Sequence, residues 1–246
     1  MKKIISFSLW GDLPLYCVGA IKNSILAKEI YPDWICRFYI STCVPKKYTD
    51  ILKQSDNCEI IFKDKPDLFW EGTFWRFEPA SDTDVSVMIS RDTDSRLNYR
   101  EKAAVDEWLT SANSFHIMRD HQYHTSTIMA GMWGVKNPKL INMKKYIKEW
   151  KRYGGYGSDQ HFLSNIIYPI VSNDCIIHDD KKGKKFPIKC QNQSYVGNHF
   201  NWDEKVLKDD TGLGDSVSRV TKKLGIKECS PCAARKQKLN RMFPYK

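Results

Sequence analysis

Residues 88–97 read MISRDTDSRL, an apolar run that stops at two aspartates one residue apart, Asp92 and Asp94, between Arg91 and Arg96. Two carboxylates at this spacing, delivered by the end of a strand, reach one hard cation directly and through water while Thr93 turns away. Such a site holds a divalent ion by oxygen and leaves coordination positions for phosphate oxygens. The ion neutralises a departing diphosphate, and basic neighbours such as Arg91 and Arg96 share that charge. The same letters also make an ordinary turn, since aspartates at strand ends cap the next helix.

Other spacings suggest rival chemistry. RDHQYH places Asp120, His121 and His124 close together, which in another context is a metal set; here it reads as a loop bordering an acceptor, with Asp120 or His121 as a substrate contact. Cys229 and Cys232 form a C-x-x-C, half of a zinc site that needs two further ligands. The six remaining cysteines are scattered through apolar segments and read as buried, reduced packing residues. Trp70, Trp75, Trp108 and Trp150 read as packing residues too.

The elements that must position Asp92 and Asp94 alternate. KKIISFSLW is a buried strand, broken by the Gly and Pro of GDLPLY; CVGAIKNSILAKEI is a helix, WICRFYIS a strand, KKYTDILKQS a helix and CEIIFK a strand. That rhythm predicts an α/β layered fold with a mostly parallel sheet. LFWEGTFWRFEPAS is a helix or folded loop on the sheet, and VSVMIS is a central strand whose carboxyl end delivers the aspartates. Ligands gather at the carboxyl ends of strands in open α/β sheets. NYREKAAVDEWLTS is an amphipathic helix; FHIMRD and TIMAGMWGV are strands; MKKYIKEWKRY and DQHFLSNIIYPIV are helices, the second with Ser158 as N-cap; CIIHDD is the last strand.

The chain has 246 residues, 41 % hydrophobic and 13 % aromatic, enough to bury a core. No signal-peptide pattern and no run of roughly 20 apolar residues is present, which predicts a cytoplasmic protein, including the host cytoplasm of a virus or phage. Net charge is +10, and residues 216–246 hold nine Lys or Arg against one acid, leaving a nearly neutral body with a basic arm. The expected organisation is a domain over 1–205 and a linker with a basic, helical C-x-x-C tail over 206–246. Such a tail attracts nucleic acid or another acidic partner in a salt-sensitive way.

The stretch FWRFEPASDTDVSVMISRDTDSRL resembles the core of metal-dependent nucleotide-sugar glycosyltransferases of the GT-A fold, particularly the glycogenin-like, family 8-like group. MAGMWGVKN, SDQHFLSN and IIHDDKKGKKF follow in that family's order, so the resemblance covers roughly residues 1–200. It implies a three-layer GT-A-like sandwich, a UDP-sugar or similar nucleoside-diphosphate donor, transfer to an acceptor hydroxyl, and Mn2+ or Mg2+ as cofactor. By the same resemblance Asp92, Asp94 and His178 hold the metal, with His199 the competing histidine; His178 is preferred because basic residues follow it. Arg76, Lys184 and Lys185 would meet the diphosphate, Gly131 and Trp133 the donor sugar, Asp159 with Gln160 the reacting sugar, and Trp10 or Tyr16 the base. The glycogenin-like pattern leans toward a retaining hexosyltransferase. Asp179, where that family usually has an aromatic residue, is a departure from it. The rivals are a related nucleotidyl transferase on the same metal site, and a catalytically silent protein that docks on nucleic acid or a virion. The tail is loosely similar to C-terminal segments of phage-type proteins.

Overall fold

The computed structural model describes residues 1–137, 141–150, 155–191, 195–200 and 237. The expected C-x-x-C tail therefore lies outside the described residues. The β-branched and aromatic runs form seven strands: β1 (Lys2–Leu9), β2 (Ile35–Ser41), β3 (Cys58–Lys63), β4 (Val85–Ser90), β5 (Phe115–Arg119), β6 (Trp133–Lys136) and β7 (Cys175–Asp179). Between them run α1 (Pro14–Ile30), α2 (Lys46–Lys53), α3 (Tyr99–Thr110), α4 (Met143–Glu149), α5 (Ser158–Phe162) and α6 (Tyr168–Val171). Pro14 opens α1 where its missing N–H costs nothing, and the Asn98 side chain accepts the Glu101 N–H to cap α3.

The strands form one sheet in the order β3-β2-β1-β4-β6-β5-β7. β6 runs antiparallel to β4 and β5, and every other neighbouring pair is parallel. This is the mixed, mostly parallel α/β sheet of the GT-A-like nucleotide-diphospho-sugar transferases. Side chains alternate between its faces. Ile5, Phe7 and Leu9 of β1 pack with α1, α2 and α3, whereas Ile4 shares the opposite core with the aromatic segment, α4 and α5. The sheet is thus covered on both sides, which is why β1 and β4 can be almost wholly apolar. From β1 the chain crosses to β2 on one side, and β4 lies on the other. Their adjacent carboxyl ends form the switch point at which such sheets bind ligands.

Four local expectations change. The aromatic segment is a 3-10 helix, Phe69–Ser81, ending after Pro79. Of TIMAGMWGV only the end is strand, because Thr127–Met132 curls beneath the Asp92 loop before β6 begins. Gly157 occupies the N-cap of α5 in a left-handed conformation (φ 78°), and Ser158 is the first helical residue; the long helix expected from 159 is interrupted by a π-helical turn, Leu163–Ile167. Cys17 and Cys36 are buried as expected, but Cys43 and Cys190 are exposed.

Helix α1 fixes the loop after β4. Asn23 Nδ2 donates to the Ser95 carbonyl at 2.9 Å and its Oδ1 accepts the Leu97 N–H at 3.1 Å, so one buried amide holds both ends of a turn. One helical turn earlier, a Cβ added to Gly19 would stand 2.0 Å from the Thr93 carbonyl oxygen. Backbone cannot yield as a flexible side chain can, and overpacking of this kind costs about 1–3 kcal/mol. Gly19→Ala is expected to lower the urea midpoint by that amount without changing the slope; an unchanged midpoint would show that α1 and the loop are not in this contact.

Candidate active site at the carboxyl ends of β1 and β4

Arg91 and Arg96, which flank the aspartates, both turn inward. Arg91 Nε donates to buried Glu101 at 3.1 Å, and Tyr31 donates to the same carboxylate at 3.1 Å. Arg96 Nη1 donates to the Ser95 carbonyl at 2.8 Å, and its guanidinium lies 5.5 Å from the centre of the Phe200 ring. These cations hold the loop's shape, so the expectation that they share phosphate charge is corrected.

Asp92 and Asp94 are left facing the cleft, with Asp92 31 % and Asp94 13 % exposed at the side chain. Gly131 permits this, because a Cβ there would be 1.9 Å from Asp92 Oδ2. Among the described residues, Asp92, Asp94 and His199 offer three ligand atoms that all lie within 4.8 Å of one another. His199 arrives on residues 195–200, which are fastened across the loop: His199 bridges to Ser95, and the Phe200 N–H donates to the Asp94 carbonyl at 2.8 Å.

Arg76 links this cluster to α5. Its Nη1 donates to Asp92 Oδ1 and its Nη2 to Asp159 Oδ2 at 2.8 Å, while its backbone N–H donates to Ser8 Oγ of β1 at 2.9 Å. Asp159 also accepts the Gln160 N–H at 2.9 Å. Burial pushes the Asp159 carboxyl up despite Arg76, and burial, with Asp92 adding to it, pushes Asp94 up against the opposing pull of His199. Tyr16 borders the same cluster; burial first, then Asp94 and Asp92, push its phenol up to about 12. Trp10 lies against Gly72 of the 3-10 helix and meets Trp75 edge-on at 6.2 Å.

His178, expected as the third ligand, is elsewhere and fully engaged. Its Nε2 lies 3.1 Å from Glu107 and its Nδ1 2.9 Å from His116 Nε2. Glu107 accepts only, so His178 carries its proton on Nε2 and presents Nδ1 as a lone pair, to which His116 donates. Neither nitrogen remains for a metal. Lys184 pairs with Glu107 and Lys185 donates to the Asp180 carbonyl, so both lysines have local partners. Trp133 is wholly buried and stacks on Phe115 at 5.2 Å, a core role rather than a donor pocket. Asp120 forms a buried pair with Arg100 and accepts the Val196 N–H at 2.8 Å, which corrects its reading as a substrate contact. His121 stacks on Tyr195 at 4.3 Å and lines a cleft of about 400 Å3 with Gln122 and Arg119.

No family model matches the chain, and no curated protein matches it in sequence. Solved structures do. A glycosyltransferase involved in glycosylation of the major capsid of PBCV-1 is 13 % identical with a TM-score of 0.50, over 73 % of this chain and 82 % of that one. The galactosyltransferase LgtC with donor and acceptor sugar analogues is 12 % identical, TM-score 0.48, over 72 % and 73 %. The 4-diphosphocytidyl-2C-methyl-D-erythritol synthase of Anaerococcus prevotii is 13 % identical, TM-score 0.47, over 78 % and 94 %. At such identity the first likeness establishes the fold alone. No helix among the described residues is long and apolar enough to cross a membrane.

The histidines set an acid limit. Burial holds His116 well below 6.5 and lowers His178, and burial with His121 lowers His124 to about 4. The unfolded chain therefore binds protons that the folded chain refuses, and stability falls as pH drops below about 6.5. Each such histidine contributes up to about 1.4 kcal/mol per pH unit in that window. Urea titrations from pH 7 to 5 are expected to show a shallower fall for His116→Gln, which keeps an amide donor for His178; an identical slope would contradict the neutral pair.

Proposed function

We propose that the chain is a metal-dependent glycosyltransferase that moves a sugar from a nucleoside-diphosphate donor, most simply a UDP-sugar, to an acceptor hydroxyl. The observation that carries this reading is the Asp92, Asp94 and His199 cluster, joined through Arg76 to Asp159 at the sheet's switch point. Three carboxylates against one guanidinium leave two unbalanced negative charges when all are ionised, which is the charge a divalent cation brings. Two carboxylates with an imidazole suit Mn2+ better than the all-oxygen preference of Mg2+. When bound, the ion would neutralise the diphosphate as it departs.

In this reading Asp92, Asp94 and His199 hold the ion, and His178 supports His199's competitor role no longer. Arg76 is preset by two carboxylates and keeps its charge, so it orients Asp159 and meets the donor without reorganising. Asp159, with Gln160 beside it, accepts hydroxyl hydrogen bonds from the reacting sugar. Gly131 leaves room for that sugar, and Tyr16 and Trp10 offer ring faces to the base. Retention of anomeric configuration, hexosyl specificity, a cytoplasmic setting and an acidic partner for the basic tail belong to the same proposal. So does the division into a catalytic domain over 1–205 and a tail over 206–246.

Calorimetry with UDP, with and without Mn2+, tests the site. Metal-dependent binding is expected in the wild type and absent after Asp92→Ala with Asp94→Ala. His199→Ala is expected to weaken Mn2+-dependent binding about tenfold or more, ~1.4 kcal/mol, whereas folded His178→Ala retains it. Binding that ignores the aspartates, or that is lost with His178 and kept without His199, contradicts the reading.

A further inference from the structure

Two aromatic rings at the mouth of this site are left unused by the donor chemistry, Trp70 and Tyr156. They come from the two segments that meet inside the site. Arg76 of the 3-10 helix binds Asp159 of α5; Trp70, in the same helix, meets Tyr156, just before α5, with ring centroids 5.6 Å apart and planes at 78°. The buried ion pair and the aromatic pair are therefore two contacts of one junction, the first inside the cleft and the second at its rim.

Tyr156 is 83 % exposed, more than any other large apolar side chain among the described residues, whereas Trp70 is half-buried. Gly155 and Gly157 flank it with nothing within 4 Å of where their Cβ atoms would stand. The left-handed Gly157 turns the chain from this ring directly into α5. The outcome is an open ring face, braced edge-to-face by a tryptophan and followed at once by a buried carboxylate.

A pyranose ring matches that arrangement. Its axial C–H bonds, polarised by neighbouring oxygens, present a weakly positive apolar face that packs on the negative face of an aromatic ring, while its equatorial hydroxyls seek carboxylates. We propose that Trp70 and Tyr156 form the acceptor platform and that the acceptor is a saccharide, held ring-on-ring with one hydroxyl toward Asp159 and Asp92. The Tyr156 phenol is pushed up by desolvation and then by the charges of Asp92, Asp94 and Asp159, in keeping with a ring at the mouth of the acidic cluster. This assignment rests on the transferase reading for the word acceptor, but the saccharide-binding platform is testable without it.

The test is saturation-transfer NMR on the full chain with methyl β-D-glucopyranoside, methyl β-D-galactopyranoside and methyl α-D-mannopyranoside. At least one glycoside is expected to receive saturation strongest on the C–H protons of one ring face. That signal should fall about fivefold in Trp70→Ala and in Tyr156→Ala, ~1 kcal/mol, and persist in Tyr156→Phe, which keeps the ring. Mn2+-dependent UDP binding, measured on the same preparations, should be unchanged in all three variants. Absence of saturation for every glycoside, or saturation indifferent to both alanine variants, overturns the platform. Glycoside binding without any UDP binding keeps the platform and sinks the transferase reading instead.

Discussion

Arg76 is the constraint from which the rest of the site follows. Its backbone is tied to Ser8 of β1, and its guanidinium binds Asp92 beyond β4 and Asp159 of α5, so three elements distant in sequence converge on one residue. The side chain is only 8 % exposed. A buried cation costs several kcal/mol to desolvate and is tolerated only where carboxylates meet it with good geometry. Removing either aspartate would leave that charge uncompensated, so the geometry of the site and the packing of the 3-10 helix are the same problem.

The arrangement also explains why acidic charge accumulates at this place. The sheet's switch point opens a crevice that no crossover covers, and backbone approach there is close enough that Gly19 and Gly131 cannot carry side chains. Into that crevice the fold puts more negative charge than Arg76 balances, and burial raises Asp94 and Asp159 as a result. An excess of this kind destabilises the empty fold and favours a bound cation, which is a reasonable physical signature of a ligand site.

Much of this was readable in the residues because it depends on local pattern. VSVMIS had to be a central strand, and the aspartates that follow it had to emerge at its carboxyl end. Arg76 stood out as the cation within an aromatic run that the sheet would bury. What failed depended on partners remote in sequence. His178 looked like a ligand because lysines follow it, but Glu107 of α3 and His116 of β5 occupy its ring. Trp133 looked like a pocket residue, yet strand alternation turns it onto Phe115. Arg91, Arg96 and Asp120 carried the right charges and spend them on Glu101, on loop carbonyls and on Arg100. His199 could have been ranked higher only by foreseeing that residues 195–200 fold back across Ser95. Gly19 and Asn23, which shape the Asp92 loop from a helix some seventy residues earlier, left no signal beyond a small residue and an amide one helical turn apart.

The central claim is that Asp92, Asp94 and His199 hold one divalent ion beside a nucleoside diphosphate. Anomalous diffraction at the manganese edge, from crystals grown with Mn2+ and UDP, addresses it directly. The account predicts a single strong peak in contact with the carboxylates of Asp92 and Asp94 and the His199 ring, with diphosphate oxygens completing its shell. A peak on His178, or none at Asp92 and Asp94 with UDP bound, would contradict it.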